Sequence, residues 1–545
     1  MTPRRNLVAV IAATAIAAAW FSWFAVYQVD DAFIVYRYAE HLARGDGFVY
    51  NPGERVEGVT CFLWAVILAP FAAAGLPLPR VAPLLTAVCG IGILVLIPGL
   101  ADRMRRRPAT GVGSAATAGD AADAAERGWP DGWALAPAVL LAAHPAFAYW
   151  SVGALETVPY ALLIVLAIRD HLDERDRGHG RRSAIWMGFA TLLRPEAPLI
   201  ALAFALDRLL PAEGGPANRA SGPADPPDGP ARSRIAGAAA WLGIVALFFV
   251  PFLVFRRIYF GEWLPMTYFA KTGGDVVRQI DEGWNYTLRF LAEVGPGFGE
   301  TSPVAAVVGV LMILVVLAYA LPRPRLRPAG LVILAIACAV LIEGGDWMVL
   351  HRFWVPGLVL LLPLLVVVGG DLAGQDRRLW PAVAVCGLLL LVSFVVGSVR
   401  ARAGANGLAV NGAGYRHAHE AVGRFLLDRG TPDDTVALMD IGIVGHVSGL
   451  RVFDITGLTE PSVAKSPGGF LRKDYPAGLV LDRRPRFIVL VNGFAIDARI
   501  AAHPEFARDY VQVFERNHRF NWTPPGDYTL RVFERRDEFP TAADR

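Results

Sequence analysis

Apolar runs of bilayer length recur from residue 6 to residue 398, and arginines gather in the short gaps between them. A hydrocarbon core about 30 Å thick admits helices of roughly 20 apolar residues, because only a helix or a closed barrel satisfies its own backbone there. A chain patterned this way folds as a bundle of membrane-crossing helices. Composition agrees: 54% of the 545 residues are hydrophobic, 19% are charged, and mean hydropathy is +0.41. A net charge of +3, scattered in small clusters, argues against a nucleic-acid partner. Cys61, Cys89, Cys338 and Cys386 lie in or beside apolar runs without CxxC spacing, so they read as small hydrophobes.

Arginine placement sets the topology, since positive charge stays on the cytoplasmic side. Arg4 and Arg5 precede "NLVAVIAATAIAAAWFSWFAV", which is too long for a signal core and lacks a small-residue cleavage site, so it reads as an uncleaved first span. The run 62 to 76 is then a short re-entrant or juxtamembrane helix, and 81 to 100, followed by "ADRMRRR", is the span that returns. Further spans are expected near 132 to 148, 153 to 169, 184 to 194, 197 to 210, 236 to 255, 303 to 321, 328 to 342, 352 to 369 and 379 to 398. Arg181, Arg182, Arg232, Arg234, Arg323, Arg325, Arg327, Arg377 and Arg378 then all fall inside, giving about eleven spans. Residues 102–131 and 211–235 become cytoplasmic loops, and 27–61 and 256–302 outer loops. From about 401 to 545 charge rises and turn signals appear, with strand-like patches "TVALMDIGIVGHV", "RFIVLVNGF" and "YTLRVFERR" and the helical "HAHEAVGRFLLDRG". These describe a soluble α/β domain outside the membrane, which in a bacterium is the periplasm.

The outer loops collect polar residues that membrane proteins keep only when paired or useful. "YQVDDAFIVYRYAEHLARGDGFVYNPGERVEG" brings Asp30, Asp31, Arg37, Glu40, His41, Glu54, Arg55 and Glu57. "WSVGALETVPY" adds Glu156, and "LLRPEAPL" adds Arg194 and Glu196. The later loops add Glu262, Tyr268 and Lys271, then Glu343, Asp346, His351 and Arg352. A carboxylate among them, Asp30 or Asp31, can deprotonate an attacking hydroxyl, while Arg194, Lys271, His351 and Arg352 can stabilise a phosphate leaving group. Arg37, Glu57, Glu156, Glu196, Tyr268 and Asp346 are candidates for holding substrate. Together these needs describe sugar transfer from a lipid phosphate. Plainer roles compete: Asp30 and Asp31 as caps of a helix beginning at Ala32, Lys271 and His351-Arg352 as interfacial anchors, "LLRPE" as a charge pair at a helix break.

The segments "DDAFIVYRYAEHLARGDGFVYNPGERVEGVTCFLW", "GALETVPYALL", "LLRPEAPL", "YFGEWLPMTYFAKTG", "GGDWMVLHRFWVP" and "MDIGIVGHVSGLRVFDITGLTEPSVAK" resemble, in order, those of the terminal arabinofuranosyltransferases that use polyprenyl-phosphate donors in mycobacterial cell-wall synthesis. The resemblance covers most of the chain. It implies the GT-C superfamily of multispanning transferases, with residues 1–400 as the catalytic membrane domain and 401–545 as its outer domain. It also implies that Asp30 or Asp31 is the catalytic base or orients the acceptor. The reaction expected is an inverting transfer of a sugar to an envelope glycan or lipid. No cofactor is required, no Walker or dinucleotide motif is present, and a divalent ion such as Mg2+ on Asp30, Asp31 and Asp346 is allowed without being indicated. Asp440, His446, Asp454 and Glu460 of the tail are either glycan-binding residues or turn and cap residues of a small fold. A transporter or flippase of lipid-linked precursors, or a non-catalytic assembly factor, is the alternative reading. The first of these would show inverted repeats and midplane polar groups instead of acids at one face.

Overall fold

The computed structural model describes residues 14–25 except 16, then 28–105, 133–211, 229–272, 275–294, 303–403, 408–520 and 526–538. Arg4, Arg5, the first part of the first apolar run and the bulk of both expected cytoplasmic loops lie outside the described residues.

Among the described residues five helices are long and apolar enough to cross a membrane: Leu78–Arg105, Arg232–Phe260, Pro303–Ala320, Arg352–Gln375 and Arg377–Ala403. That is fewer than the eleven spans expected, and the sequence supplies the reasons. The 132 to 148 run breaks at His144-Pro145 into Ala136–Ala143 and Pro145–Trp150. Residues 153 to 169 open a longer helix, Thr157–Arg177, whose last turns carry Asp170, Asp173, Glu174, Arg175 and Arg177. "LLRPE" separates Arg182–Thr191 from Ala197–Leu209, of 10 and 13 residues, and Arg327–Glu343 stops at 17. The Phe62–Ala73 helix has 12 residues and an internal Pro70, so it is as short as expected. The Arg352–Gln375 helix is the centre of the bundle, with 83% of its apolar window covered by neighbours, against 11% for the peripheral Arg377–Ala403. Cys61 is buried, but Cys338 and Cys386 are exposed on the outer faces of their helices.

Charge sits at both ends of this bundle. At 1.5 Å per residue the 21-residue Thr157–Arg177 helix is about 30 Å long, close to the thickness of a hydrocarbon core. Near its far end the fully buried Asp207 lies 2.8 Å from His171 Nε2, accepts from Arg327 Nε at 2.6 Å and pairs with Arg175. Glu174 accepts from the Ser183 amide and hydroxyl at 2.9 and 2.7 Å and pairs with Arg208. The arginines read as a sidedness signal therefore also bolt helices together. At the near end stand Glu156, Arg194 and Arg352.

The tail is a five-stranded sheet in the order β2-β1-β3-β5-β4. β1 (Thr435–Leu438), β2 (Arg451–Asp454) and β3 (Phe487–Val491) run parallel, and β5 (Gly526–Arg535) and β4 (Tyr510–Phe520) continue it antiparallel. β3, "FIVLV", is buried at every position, as a central strand covered on both faces must be. "TVALMDIGIVGHV" differs from the expected strand. Only its first four residues pair, and Ile441–Ser448 is helical. A short apolar run cannot be assigned by periodicity alone, and here a partner distant in sequence secures the helix.

Candidate functional site

The Asp30–Arg44 helix begins the segment expected as the first outer loop, with its two adjacent carboxylates pointing to different neighbours. Asp30 is buried and caps a helix, though not its own. Its Oδ2 accepts from Gly442 N at 2.8 Å and its Oδ1 from Ile443 N at 2.7 Å, the free amides that open the Ile441–Ser448 helix. Seven residues on, Arg37 donates to the Gly445 and Leu450 carbonyls at 2.6 Å each, near the other end of that helix. Acid at the amino end and base at the carboxyl end match the helix dipole. Gly442 and Gly445 allow the approach, because a Cβ at the first would run into the Asp30 backbone oxygen and at the second into the Tyr50 hydroxyl. The helix's own N-cap, Asp440, is turned away to His419 Nε2 at 3.0 Å and the Tyr528 hydroxyl at 2.5 Å. Burial and the Asp440 charge raise the Asp30 pKa, opposed by His419.

Asp31 is half-buried and makes no hydrogen bond or ion pair among the described residues. Burial lifts its pKa to about 6. Arg352 and Lys271 pull it down, and Asp346 and Glu156 push it up. Those four charges define a centre at the end of the bundle opposite the Asp207 cluster, closed by residues from distant segments. Arg194 donates from Nη1 to Glu156 and from Nε to Glu196, both at 2.8 Å, and its guanidinium lies 4.7 Å from the Phe353 ring centre. Arg352 Nε is 2.7 Å from Asp346 Oδ2. Cys61 hydrogen-bonds Glu156, and burial pushes its thiol well up. Lys271 ends the short Met266–Lys271 helix, its Nζ 5.6 Å from the Phe470 ring and without an ion pair among the described residues. Buried arginines held by carboxylates are fixed scaffolding, whereas Lys271, among the described residues of this centre, has no ion pair and can still meet an anion.

Seven of the expected site residues thus gather: Asp31, Glu156, Arg194, Glu196, Lys271, Asp346 and Arg352. The others are placed elsewhere. Asp30 and Arg37 hold the tail, as described. Glu57 takes both Arg256 donors, at 2.6 and 3.1 Å, locking the first loop to the end of a span. Tyr268 is 47% exposed on the outer side of its helix. His351 Nδ1 lies 2.8 Å from Glu293, a partner that nothing in the motif pattern signals. His351 and the preceding Leu350 have φ of 46° and 57°, strained for residues with a Cβ, and this turn aims Arg352 inward. In the tail, Asp454 and Glu460 satisfy the turns that follow them: Asp454 accepts from Thr456, Gly457 and Thr459, and Glu460 from Ser462. His446 packs edge-on against Phe33 and Tyr36, and burial lowers its pKa to about 4. No group of three or more His, Cys, Asp or Glu side chains among the described residues could hold a metal ion.

Comparison with known proteins gives three findings. A domain of unknown function (DUF8728) matches residues 408–533. Over 386 residues, 64% of the chain, the sequence is 26% identical to a terminal beta-(1->2)-arabinofuranosyltransferase of Corynebacterium glutamicum. The match spans 49% of that relative, so the chain aligns with about half of it. In structure, the chain is similar to ArnT from Cupriavidus metallidurans bound to undecaprenyl phosphate, with a TM-score of 0.52 at 13% identity over 97% of this chain and 98% of that one. It is also similar to the apo oligosaccharyltransferase of Archaeoglobus fulgidus, with a TM-score of 0.52 at 13% identity over 90% of this chain and 70% of that one. The fold is the one these two structures share: a largely helical body, with five helices long and apolar enough to cross a membrane among its described residues, and a sheet domain at its carboxyl end.

Proposed function

We propose that the chain is an inverting glycosyltransferase that moves a sugar from a polyprenyl-phosphate donor to an envelope glycan or lipid acceptor at the outer face of a bacterial inner membrane. The observation that carries this reading is Asp31, a half-buried carboxylate in the field of Arg352 and Lys271 that, like Lys271, has no ion pair among the described residues. A base must reach an acceptor hydroxyl and a cation must meet the departing phosphate, and here both face one centre. Asp31 takes the hydroxyl proton as the acceptor oxygen attacks the anomeric carbon. The bond from that carbon to phosphate oxygen breaks, the electron pair leaves with the phosphate, and Lys271, seconded by Arg352, offsets its charge. Arg194 holds Glu156 and Glu196 in place. A single displacement inverts the anomeric carbon, and the steps need no cofactor.

The relatives support the donor class, since the ArnT structure holds undecaprenyl phosphate, and they suggest arabinofuranose as the sugar. In this reading the shorter helices join the five long ones in eleven crossings, with the amino terminus cytoplasmic and the tail outside. The test is release of polyprenyl phosphate by the purified protein in nanodiscs, with a panel of polyprenyl-phosphate sugars and an envelope-glycan extract. Turnover of at least one donor, with inversion, is expected. Transbilayer movement of a donor without sugar transfer would overturn the reading in favour of a transporter.

A further inference from the structure

The tail segment from Lys465 to Tyr475 is a wall with two working faces. On one, Phe470 lies 5.6 Å from Lys271 Nζ, and the buried Lys473 gives its hydrogens to the carbonyls of Phe269 at 2.7 Å, Thr272 at 2.9 Å and Ser466 at 3.2 Å. It thereby pins the end of the helix that carries Lys271. On the other face, Leu471 to Tyr475 line a cavity of about 370 Å³ floored by Met439, Ile455 and Ile496. Met439 and Ile455 directly follow β1 and β2, and Ile496 lies in the first turn after β3. The cavity therefore sits at the carboxyl edge of the parallel strands, where the chain crosses from one side of β1 to the other. Open α/β sheets bind ligands at that position.

The residues decide what kind of ligand fits. Such sheets hold phosphates on the amino end of the helix after the first strand, but here that end is filled by the Asp30 carboxylate. Two of the three cations in its lining are also committed: Lys473 is saturated by carbonyls, and Arg499 donates to Asp474 at 2.6 Å and to the Lys473 carbonyl at 2.8 Å. The third, Arg472, is largely exposed, with Nη1 3.9 Å from Glu282. What is left is an apolar floor, the Tyr475 ring fixed by its hydroxyl on the Ile455 carbonyl at 2.7 Å, and a planar guanidinium–carboxylate pair at the rim. A sugar ring has this dual character, with C–H faces for the floor and hydroxyls for fixed planar groups. A volume at the small end of the roughly 300–1,000 Å³ range of ligand pockets suits one or two rings.

We propose that this cavity is a saccharide subsite that holds a neutral sugar unit of the glycan acceptor beside the Asp31 centre, a placement that rests on the transferase reading. The test uses the full-length protein in nanodiscs and neutral pentose and hexose oligosaccharides, with inorganic phosphate and a sugar phosphate as counter-probes. Ala495→Trp fills the cavity from an exposed lining position. At least one neutral oligosaccharide should bind, and Ala495→Trp should weaken it tenfold or more and raise acceptor KM alike, while donor hydrolysis without acceptor stays at the parent rate. Binding unchanged in Ala495→Trp, binding of the phosphates only, or no binding of any neutral saccharide overturns the subsite. A parent without donor turnover defeats the transferase reading instead, and the binding arm still decides the cavity.

Discussion

Asp30 and Asp31 are neighbours in sequence with opposite employment. Asp30 is spent on two backbone amides 412 and 413 residues away, and Asp31 is left to face Arg352 and Lys271. A base must be ionised, so with Asp31 near 6 the transfer rate should rise as pH climbs through about 6 and level off above it. A pH–rate profile with that ascending limb, measured with saturating acceptor, checks this, and a flat profile from pH 5 to 8 would contradict it. Lys271→Met should lower kcat about 100-fold or more, the usual scale for losing one transition-state charge contact. Arg194→Met should instead damage folding, because it leaves Glu156 and Glu196 buried without their cation, and breaking a buried pair costs about 3–5 kcal/mol. Thermal unfolding of the two variants separates these outcomes.

At the scale of elements, the union of the Asp30–Arg44 and Ile441–Ser448 helices makes the tail part of the site instead of an appendage. Gly442→Ala places a methyl group against Asp30 and should loosen the tail by about 1–3 kcal/mol, seen as a lower melting temperature and faster proteolysis of residues 408–538. The same joint carries a pH dependence. Burial works against charge on His419, yet the hydrogen bond and charge of Asp440, with Asp30, hold its pKa above the ordinary value of 6.5. A raised histidine adds stability that is complete below the unfolded pKa and is lost as pH rises through the folded one. Tail protection should therefore weaken in alkaline buffer, and His419→Gln should flatten that trend.

Much of this element plan was legible in the chain, because the apolar runs and the arginines between them report burial directly. The strand β3 and the short Phe62–Ala73 helix came through for the same reason. The Ile441–Ser448 helix did not, because "IGIVGHV" fits either period and the amides that open it are capped from the other end of the sequence. The roles of Asp30, Arg37 and Glu57 were hidden likewise. Residue type announces a charge, but only the packed structure shows whether that charge is already engaged.

For the whole molecule, the contacts between the first loop and the tail put them on one face, and the Asp207 cluster lies at the opposite end of the bundle. A membrane-impermeant maleimide should reach Glu515→Cys in intact cells and Arg177→Cys only after permeabilisation, in a background without native cysteines. Labelling of both from one side would contradict a bundle with separate inner and outer polar ends.

The most direct measurement is single-turnover sugar transfer by Asp31→Asn and Asp30→Asn beside the parent, with tail docking followed by proteolysis in the same samples. Removing a general base costs about 100- to 10,000-fold. Asp31→Asn should lose transfer on that scale with its tail still protected. Asp30→Asn keeps one acceptor oxygen and should instead lose about 1–3 kcal/mol of docking while the docked fraction stays active. Full transfer by Asp31→Asn, or its loss in a docked Asp30→Asn, would contradict Asp31 as the base.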